Sequence, residues 1–178
     1  MRQAVIENPI LNSPFETPER HFRFSDDGIT DEIEESRRRS SYFMPIPKAK
    51  KRRGAQAELL GTEWTQDRIA ENRHVNEIRQ RVHYWRQRGY PDVTRTTKRL
   101  IEHWTHPQRE RRLFYCQIEA IETAVYIAEA ARRQGDAWIE NFLRDANADA
   151  NPELFRIAPK MATGTGKTAV MAMLIAWH

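Results

Sequence analysis

The sequence predicts an α/β protein, of which this chain contributes a mostly α-helical region followed by one strand, a glycine-rich loop and a helix. Three observations predict this fold class. Apolar residues recur at helical spacing from Trp64 onward, residues 162–168 read ATGTGKT, and apolar segments flank that loop on both sides. A helix packed beside a single parallel strand needs neighbouring strands to cover it, so we expect the chain to be the amino-terminal fragment of a longer protein.

Residues 1–62 are predicted to form an extended arm and linker, because they are rich in proline and show no sustained apolar periodicity. Five aromatic residues of this arm are candidate docking points on a larger body: Phe15, Phe22, Phe24, Tyr42 and Phe43. Five basic residues near its end are candidate DNA contacts, since cations bound to phosphates release counterions: Lys48, Lys50, Lys51, Arg52 and Arg53. A solvated linker is the competing interpretation of these charges.

Residues 63–150 are predicted to form a helical region. Gly89 ends its first helix, Thr94 begins the second, and Gly135 ends the third. The predicted helices cover residues 65–88, 94–105, 107–133 and 136–147. The buried stripe of the third helix is predicted to consist of Leu113, Gln117, Ala120, Ile121, Ala124, Val125 and Ala128.

Several conspicuous side chains of this region have an ordinary structural interpretation. Trp85 and Trp104 lie on apolar helix faces, which favours core packing over stacking on nucleic-acid bases. Glu119 and Glu122 are predicted to lie on the solvated face of the third helix.

Residues 151–178 are predicted to begin a further domain, with a strand over 154–161, the loop over 162–168 and a helix over 169–178.

The overall composition sets limits on function. The formal net charge is +4 over 178 residues, which permits contact with nucleic acid without requiring it. Cys116 is the only cysteine, which excludes an internal disulfide and suits a reducing compartment. No apolar run approaches the roughly 20 residues that span a bilayer, and the first residues do not form a secretory leader. We therefore expect a cytoplasmic protein that is not inserted in a membrane.

The glycine-rich loop is the strongest functional signal in the sequence. Gly164 and Gly166 allow backbone N–H groups to surround phosphate oxygens at the start of a helix. Lys167 is placed to neutralise the β and γ phosphates, and the Thr168 hydroxyl to hold Mg²⁺. The predicted nucleotide-binding set of the loop is Thr163, Gly164, Thr165, Gly166, Lys167 and Thr168. Met161 stands where the strict phosphate-loop pattern has its first glycine.

Two motifs resemble those of a known family. MATGTGKT at 161–168 resembles motif I of superfamily 2 (DEAD/DEAH-box-like) helicases, in the form found in motor subunits of type I and type III restriction enzymes. RLFYCQIEAI at 112–121 resembles the glutamine motif of those helicases. The segments NPILNSPF at 8–15, HFRF at 21–24, RRSSYFMPIP at 38–47 and WIEN at 138–141 resemble the start of type III restriction enzyme Res subunits.

The resemblance implies a RecA-like ATPase lobe that begins in this chain and binds ATP and Mg²⁺. It further implies that Gln117 recognises adenine, that the complete enzyme translocates along double-stranded DNA and carries a nuclease, and that a DNA methyltransferase subunit is a partner. The residues for ATP hydrolysis lie downstream of motif I in the family. The chain by itself is therefore expected to bind nucleotide weakly and not to hydrolyse it.

Other interpretations remain open from the sequence. One is a superfamily 2 DNA helicase without a nuclease. Another is a truncated, non-catalytic remnant or interaction module. For Gln117, the alternative to adenine recognition is a core amide satisfied by neighbouring backbone groups. Pro159 departs from the expected pattern, because it removes a backbone N–H from the predicted strand over 154–161.

Overall fold

A computed structural model of the chain describes residue 6 and residues 8–25, 28–43, 69–150 and 153–178. These residues divide into two compact units. One unit is drawn from Met1–Ser13 and Pro18–Asn76, and the other from Pro14–Thr17 and Glu77–His178.

The first unit contains two small antiparallel strand pairs. Strands β1 (His21–Ser25) and β2 (Gly28–Glu34) form a hairpin, in which Phe22 lies opposite Ile33 and Phe24 opposite Ile29. Strands β3 (Ser41–Phe43) and β4 (Ile69–Glu71) form the second pair. The sequence predicts an extended arm and linker over 1–62, and within its described part the structure adds regular strand pairing, because apolar residues at alternate positions of two short segments pair across the hairpin.

The helices are α1 (Arg73–Gln87), α2 (Arg95–Thr105), α3 (Tyr115–Val125), a π-helical turn (Tyr126–Ala130), α4 (Ala137–Ala150) and α5 (Lys167–Trp177). Helix α2 begins where the sequence predicts, because the Thr94 hydroxyl accepts a hydrogen bond from the N–H of Thr97 at 3.1 Å. Helix α1 begins later than predicted, because residues 69–71 belong to β4.

The predicted continuous helix over 107–133 is divided in the structure. Residues 106–114 are not helical, and Phe114 is extended with φ −67° and ψ 148°. At the other end, the N–H of Ala131 donates to the carbonyl of Tyr126, five residues earlier, at 2.7 Å. This π-helical bond encloses one more residue than the bond of an α-helix. This turn shifts the buried face, so Tyr126 and Ala130 are buried whereas Ala128, predicted in the stripe, is exposed.

The hydrophobic core lies in the second unit and includes residues of α5, the helix that follows the glycine-rich loop. Trp85 is completely buried and donates its indole N–H to the carbonyl of Pro91 at 2.8 Å. Val170 and Met173 of α5 are 4% and 5% exposed and belong to the same core. The remaining buried apolar residues are Ile78, Val82, Ile101, Trp104, Ala120, Ile121, Val125, Tyr126, Ala130, Ala131 and Ile139. Core packing of Trp85 and Trp104 is thus confirmed.

The predicted strand over 154–161 does not form in this structure. Residues 154–162 have no helical or strand hydrogen-bond pattern, and residues 153–160 are exposed. The backbone of Arg156 is held by a side chain instead. Its N–H donates to Oδ1 of Asn147 at 2.8 Å, and its carbonyl accepts from Nδ2 of the same residue at 2.9 Å. A strand requires a neighbouring strand, and none of the described residues pairs with this segment.

Candidate nucleotide-binding site

The loop over 162–168 adopts a conformation that requires both of its glycines. Gly164 has φ +81° and Gly166 has φ +74°, in the left-handed region that side chains with a Cβ rarely occupy. Gly166 is also the residue that precedes the first turn of α5. The two glycines therefore bend the backbone so that the loop leads into a helix N-terminus, and their part in surrounding a phosphate stays a prediction.

A single carbonyl group closes the loop. The carbonyl of Ala162 accepts the Thr165 hydroxyl at 2.8 Å and the Lys167 ammonium at 2.9 Å. Lys167 is exposed, so its charge is not buried. A phosphate anion would compete well for this ammonium, because hydrogen bonds between charged partners are about twice as strong as those to a neutral acceptor.

The remaining loop residues fit the same chemistry. Thr163 and Thr168 are exposed, and Thr168 lies in the first turn of α5, where backbone N–H groups have no acceptor within the helix. The donors offered here are an ammonium, a hydroxyl and helix N–H groups, which suit phosphate oxygens. A Mg²⁺ ion bound to a nucleotide takes most of its ligands from phosphates and water, so the Thr168 hydroxyl fits as a protein ligand.

Gln117 of α3 contacts the loop, although the two are 48 residues apart in sequence. Its Nε2 donates to the carbonyl of Thr165 at 2.9 Å, and the carbonyl of Gly166 lies at 3.5 Å. Its Oε1 accepts from the N–H of Phe114 at 2.9 Å. Phe114 is the residue before the first turn of α3, so this bond caps the start of the helix. Gln117 is 6% exposed, and both ends of its amide are bonded to backbone. Its contact with adenine stays a prediction.

Pro14 and Phe15 also pack beside the start of α3, the helix that carries Gln117. The ring of Phe15 lies 5.6 Å from the ring of Phe114, and the guanidinium of Arg112 lies 4.6 Å from the Phe15 ring centroid. The carbonyl of Pro14 accepts from the N–H of Tyr115 at 2.8 Å. Phe15 was one of the predicted docking aromatics, and here it covers the start of the helix that carries Gln117.

The far end of α5 is fixed by Glu129, a residue that the sequence did not single out. The Trp177 indole N–H donates to Oε1 of Glu129 at 2.8 Å. The same carboxylate accepts from the Thr97 hydroxyl at 2.6 Å and from the N–H of Thr94 at 2.9 Å. Glu129 thus ties the end of α5 to the start of α2. An acid among the apolar residues of 124–131 was its only signal.

Helix α3 is held by an ion pair whose acid was predicted to be solvated. Glu122 is fully buried, and its carboxylate accepts from the guanidinium of Arg86 and from the hydroxyl of Tyr90, at 2.7 Å for the latter. The prediction that Glu122 faces solvent is therefore wrong, because the hydrogen bonds from Arg86 and Tyr90 offset the desolvation of its buried charge. Burial, together with the negative charge of Glu122, raises the pKa of the Tyr90 hydroxyl, which stays a donor.

Three further points concern the candidate DNA contacts, metal-binding groups and membrane-spanning helices. The candidate DNA contacts at 48–53 lie outside the described residues. In the described ranges, no group of three or more His, Cys, Asp or Glu side chains is arranged to hold a metal ion. Over the same ranges, no helix has both the length and the apolar character needed to cross a membrane.

The chain matches no protein-family model, no curated protein and no solved structure.

Proposed function

We propose that the chain is the ATP-binding amino-terminal part of a DNA-dependent ATPase, a helicase or translocase subunit of a type III-like restriction endonuclease. The observation that carries the proposal is the loop closure. Lys167 donates to the carbonyl of Ala162 across a loop bent at two left-handed glycines. That arrangement places an ammonium beside a helix N-terminus, which is the donor set that a polyphosphate needs.

In this proposal the loop binds and does not hydrolyse. Lys167 transfers its hydrogen bond from Ala162 to the β and γ phosphates, and the first-turn N–H groups of α5 bind the same oxygens. The Thr168 hydroxyl binds Mg²⁺, which neutralises phosphate charge when bound. Gln117 holds the loop by donating to the carbonyl of Thr165, and recognition of adenine by the same amide is the part of the proposal that rests on the resemblance. Hydrolysis, the nuclease and contact with a DNA methyltransferase belong to other parts of the complete enzyme, which acts on double-stranded DNA in the cytoplasm.

A calorimetric titration with ATP and Mg²⁺ tests the nucleotide site. We expect the unmodified chain to bind, and Lys167→Ala to weaken binding by at least about tenfold, which corresponds to about 1.4 kcal/mol. Lys160→Ala is the matched control, because Lys160 is an exposed lysine outside the loop. Binding that is absent in the unmodified chain, or equal in Lys167→Ala and Lys160→Ala, would overturn the proposal.

A further inference from the structure

One strongly basic segment lies in the described part of the second unit. Residues 95–112 contain six arginines and lysines and only two acids, so this segment has a net charge of +4, equal to that of the whole chain. The basic residues are Arg95, Lys98, Arg99, Arg109, Arg111 and Arg112, and the acids are Glu102 and Glu110. The segment comprises α2 and the irregular turn that follows it.

Helix α2 separates its charges from its apolar residues. Thr97, Ile101 and Trp104 are buried on one side of the helix. Successive residues are about 100° apart around a helix, so Arg95 and Arg99 lie on the opposite side and Lys98 on its flank, and all three are exposed. Glu102 shares this side, which leaves the exposed face with a net positive charge.

The turn after α2 adds further basic residues at the end of the helix. The N–H of Arg109 donates to the carbonyl of His106 at 3.2 Å, and its guanidinium donates to the carbonyls of Arg111 and His103 at 3.3 Å and 3.4 Å. These bonds fold the turn against the last residues of α2. Arg111 is exposed beside it. We call Arg95, Lys98, Arg99, Arg109 and Arg111 the α2 basic surface.

The charges of the α2 basic surface are not neutralised within the described part of the chain. None of its five side chains has a carboxylate oxygen within 4.0 Å among the described residues, whereas several arginines elsewhere in the same unit are paired with acids. The paired arginines are Arg81, Arg86, Arg132 and Arg144. The first turn of α2 contains no acid of its own, and the Glu129 carboxylate bonds to Thr94 and Thr97 at that end of the helix. These five charges are therefore available to an external anion.

We propose that the α2 basic surface binds the phosphate backbone of duplex nucleic acid without recognising base sequence. Helix α2 is about 16 Å long, a length over which a duplex presents several phosphates at one charge per about 1.7 Å. A single strand is a poorer fit, because strand binding uses exposed aromatic rings, and Trp104, the aromatic residue of α2, is 7% exposed on the opposite side. The surface is separate from the nucleotide loop, so this proposal does not require ATP binding.

Fluorescence anisotropy with a labelled duplex of about 20 base pairs tests the surface at a series of salt concentrations. The test variant is Arg95→Gln, Lys98→Gln and Arg99→Gln combined. The control is Arg88→Gln, Arg133→Gln and Arg144→Gln combined, which removes the same charge from other exposed positions of the unit. We expect the test variant to bind at least about tenfold more weakly and to lower the slope of log K against log salt by about 2 to 3.

Several outcomes would overturn this proposal. They are no duplex binding by the unmodified chain at low salt, equal losses in the test and control variants, and tighter binding to a single strand of the same length or to vesicles of anionic lipid. Circular dichroism and thermal melting confirm that both variants fold. If the test variant does not fold, Arg99→Gln with Arg111→Gln replaces it, and the expected slope change is about 2.

Discussion

The side-chain amide of Gln117 occupies the space that any side chain at position 166 would need. A Cβ built on Gly166 would overlap with Nε2 of Gln117, and Gly166 also has φ +74°. At Gly164, by contrast, a Cβ would meet no atom within 4 Å. Of the two loop glycines, Gly166 is therefore required for two reasons and Gly164 for one, its backbone angle.

This difference predicts unequal effects of alanine at the two glycines. We expect Gly164→Ala to lower the free energy of unfolding by about 1–2 kcal/mol through backbone strain alone. Gly166→Ala should cost about 1–3 kcal/mol more, because the Gln117 amide must also move. The double variant Gly166→Ala with Gln117→Ala should recover part of this loss, giving a coupling of about 1 kcal/mol in urea denaturation. Additive costs would show that the overlap has no energetic consequence.

The two ends of the Gln117 amide have separable roles. In Gln117→Glu, one carboxylate oxygen still accepts the N–H of Phe114, but the carboxylate cannot donate to the carbonyl of Thr165. We expect this variant to keep α3 intact by circular dichroism while ATP affinity falls by about tenfold, which corresponds to about 1.4 kcal/mol. If Gln117 also recognises adenine, Gln117→Glu should reduce any preference for ATP over GTP. An unchanged preference would restrict Gln117 to holding the loop.

Breaking the buried ion pair beneath α3 should be strongly destabilising. In Glu122→Leu, the Arg86 guanidinium loses its carboxylate while it remains partly buried, and we expect a loss of about 3–5 kcal/mol in the free energy of unfolding. The control is Glu140→Gln, which removes a half-buried acid whose two partners, Arg132 and Arg144, are exposed. Exposed pairs contribute little, so this control should leave stability nearly unchanged. Equal losses for the two acids would contradict the burial argument.

The raised pKa of Tyr90 predicts a loss of stability at alkaline pH. The hydroxyl stays protonated in the folded protein, whereas an exposed tyrosine ionises at about pH 10. Above that pH the unfolded chain binds fewer protons than the folded one, so the free energy of unfolding falls by up to about 1.4 kcal/mol per pH unit because of Tyr90. Below about pH 10 the stabilisation that the protonated Tyr90 hydroxyl provides is fully present. We expect Tyr90→Phe to reduce the alkaline slope in denaturation curves, and Tyr84→Phe, at a 59% exposed residue, to leave it unchanged.

The contact at the far end of α5 should matter for stability. Trp177→Phe keeps an aromatic ring but removes the indole N–H that Glu129 and Thr97 accept. We expect the free energy of unfolding to fall by about 1–2 kcal/mol, measured by denaturant unfolding extrapolated to zero denaturant and checked by thermal melting. Met171→Ala is the control on the same helix, because Met171 is 61% exposed, and its effect should lie within about 0.5 kcal/mol. A larger effect of Met171→Ala would mean that its exposed face is covered in solution.

Local signals predicted much of the helical unit. Thr94 fixed the start of α2 because a cap is a contact between neighbouring residues. The loop pattern likewise predicted that Gly164 and Gly166 shape the loop, and both have left-handed backbone angles. The burial of Trp85 and Trp104 followed from periodicity alone. These features depend on residues within about one helical turn of each other, which is the range over which a sequence pattern has direct physical meaning.

The features that the sequence did not predict depend mostly on distant partners. The π-helical turn places Glu129 where it contacts Thr97 and Trp177, which lie 32 and 48 residues away in sequence. Glu122 was predicted to be solvated, because its partner Arg86 lies 36 residues away. Pairing across such separations depends on the tertiary fold, which periodicity does not specify.

Helix α5 is restrained at both of its ends, by the contact of Gln117 with the loop before it and by the contact of Glu129 with Trp177. Two buried residues between these contacts hold it in the core. A ligand that binds at the loop would therefore meet a preorganised helix, and the conformational entropy lost on binding would be confined to a few loop torsions and the Lys167 side chain. Binding should then show a small entropic penalty and a small change in heat capacity, the thermodynamic signature of a rigid receptor.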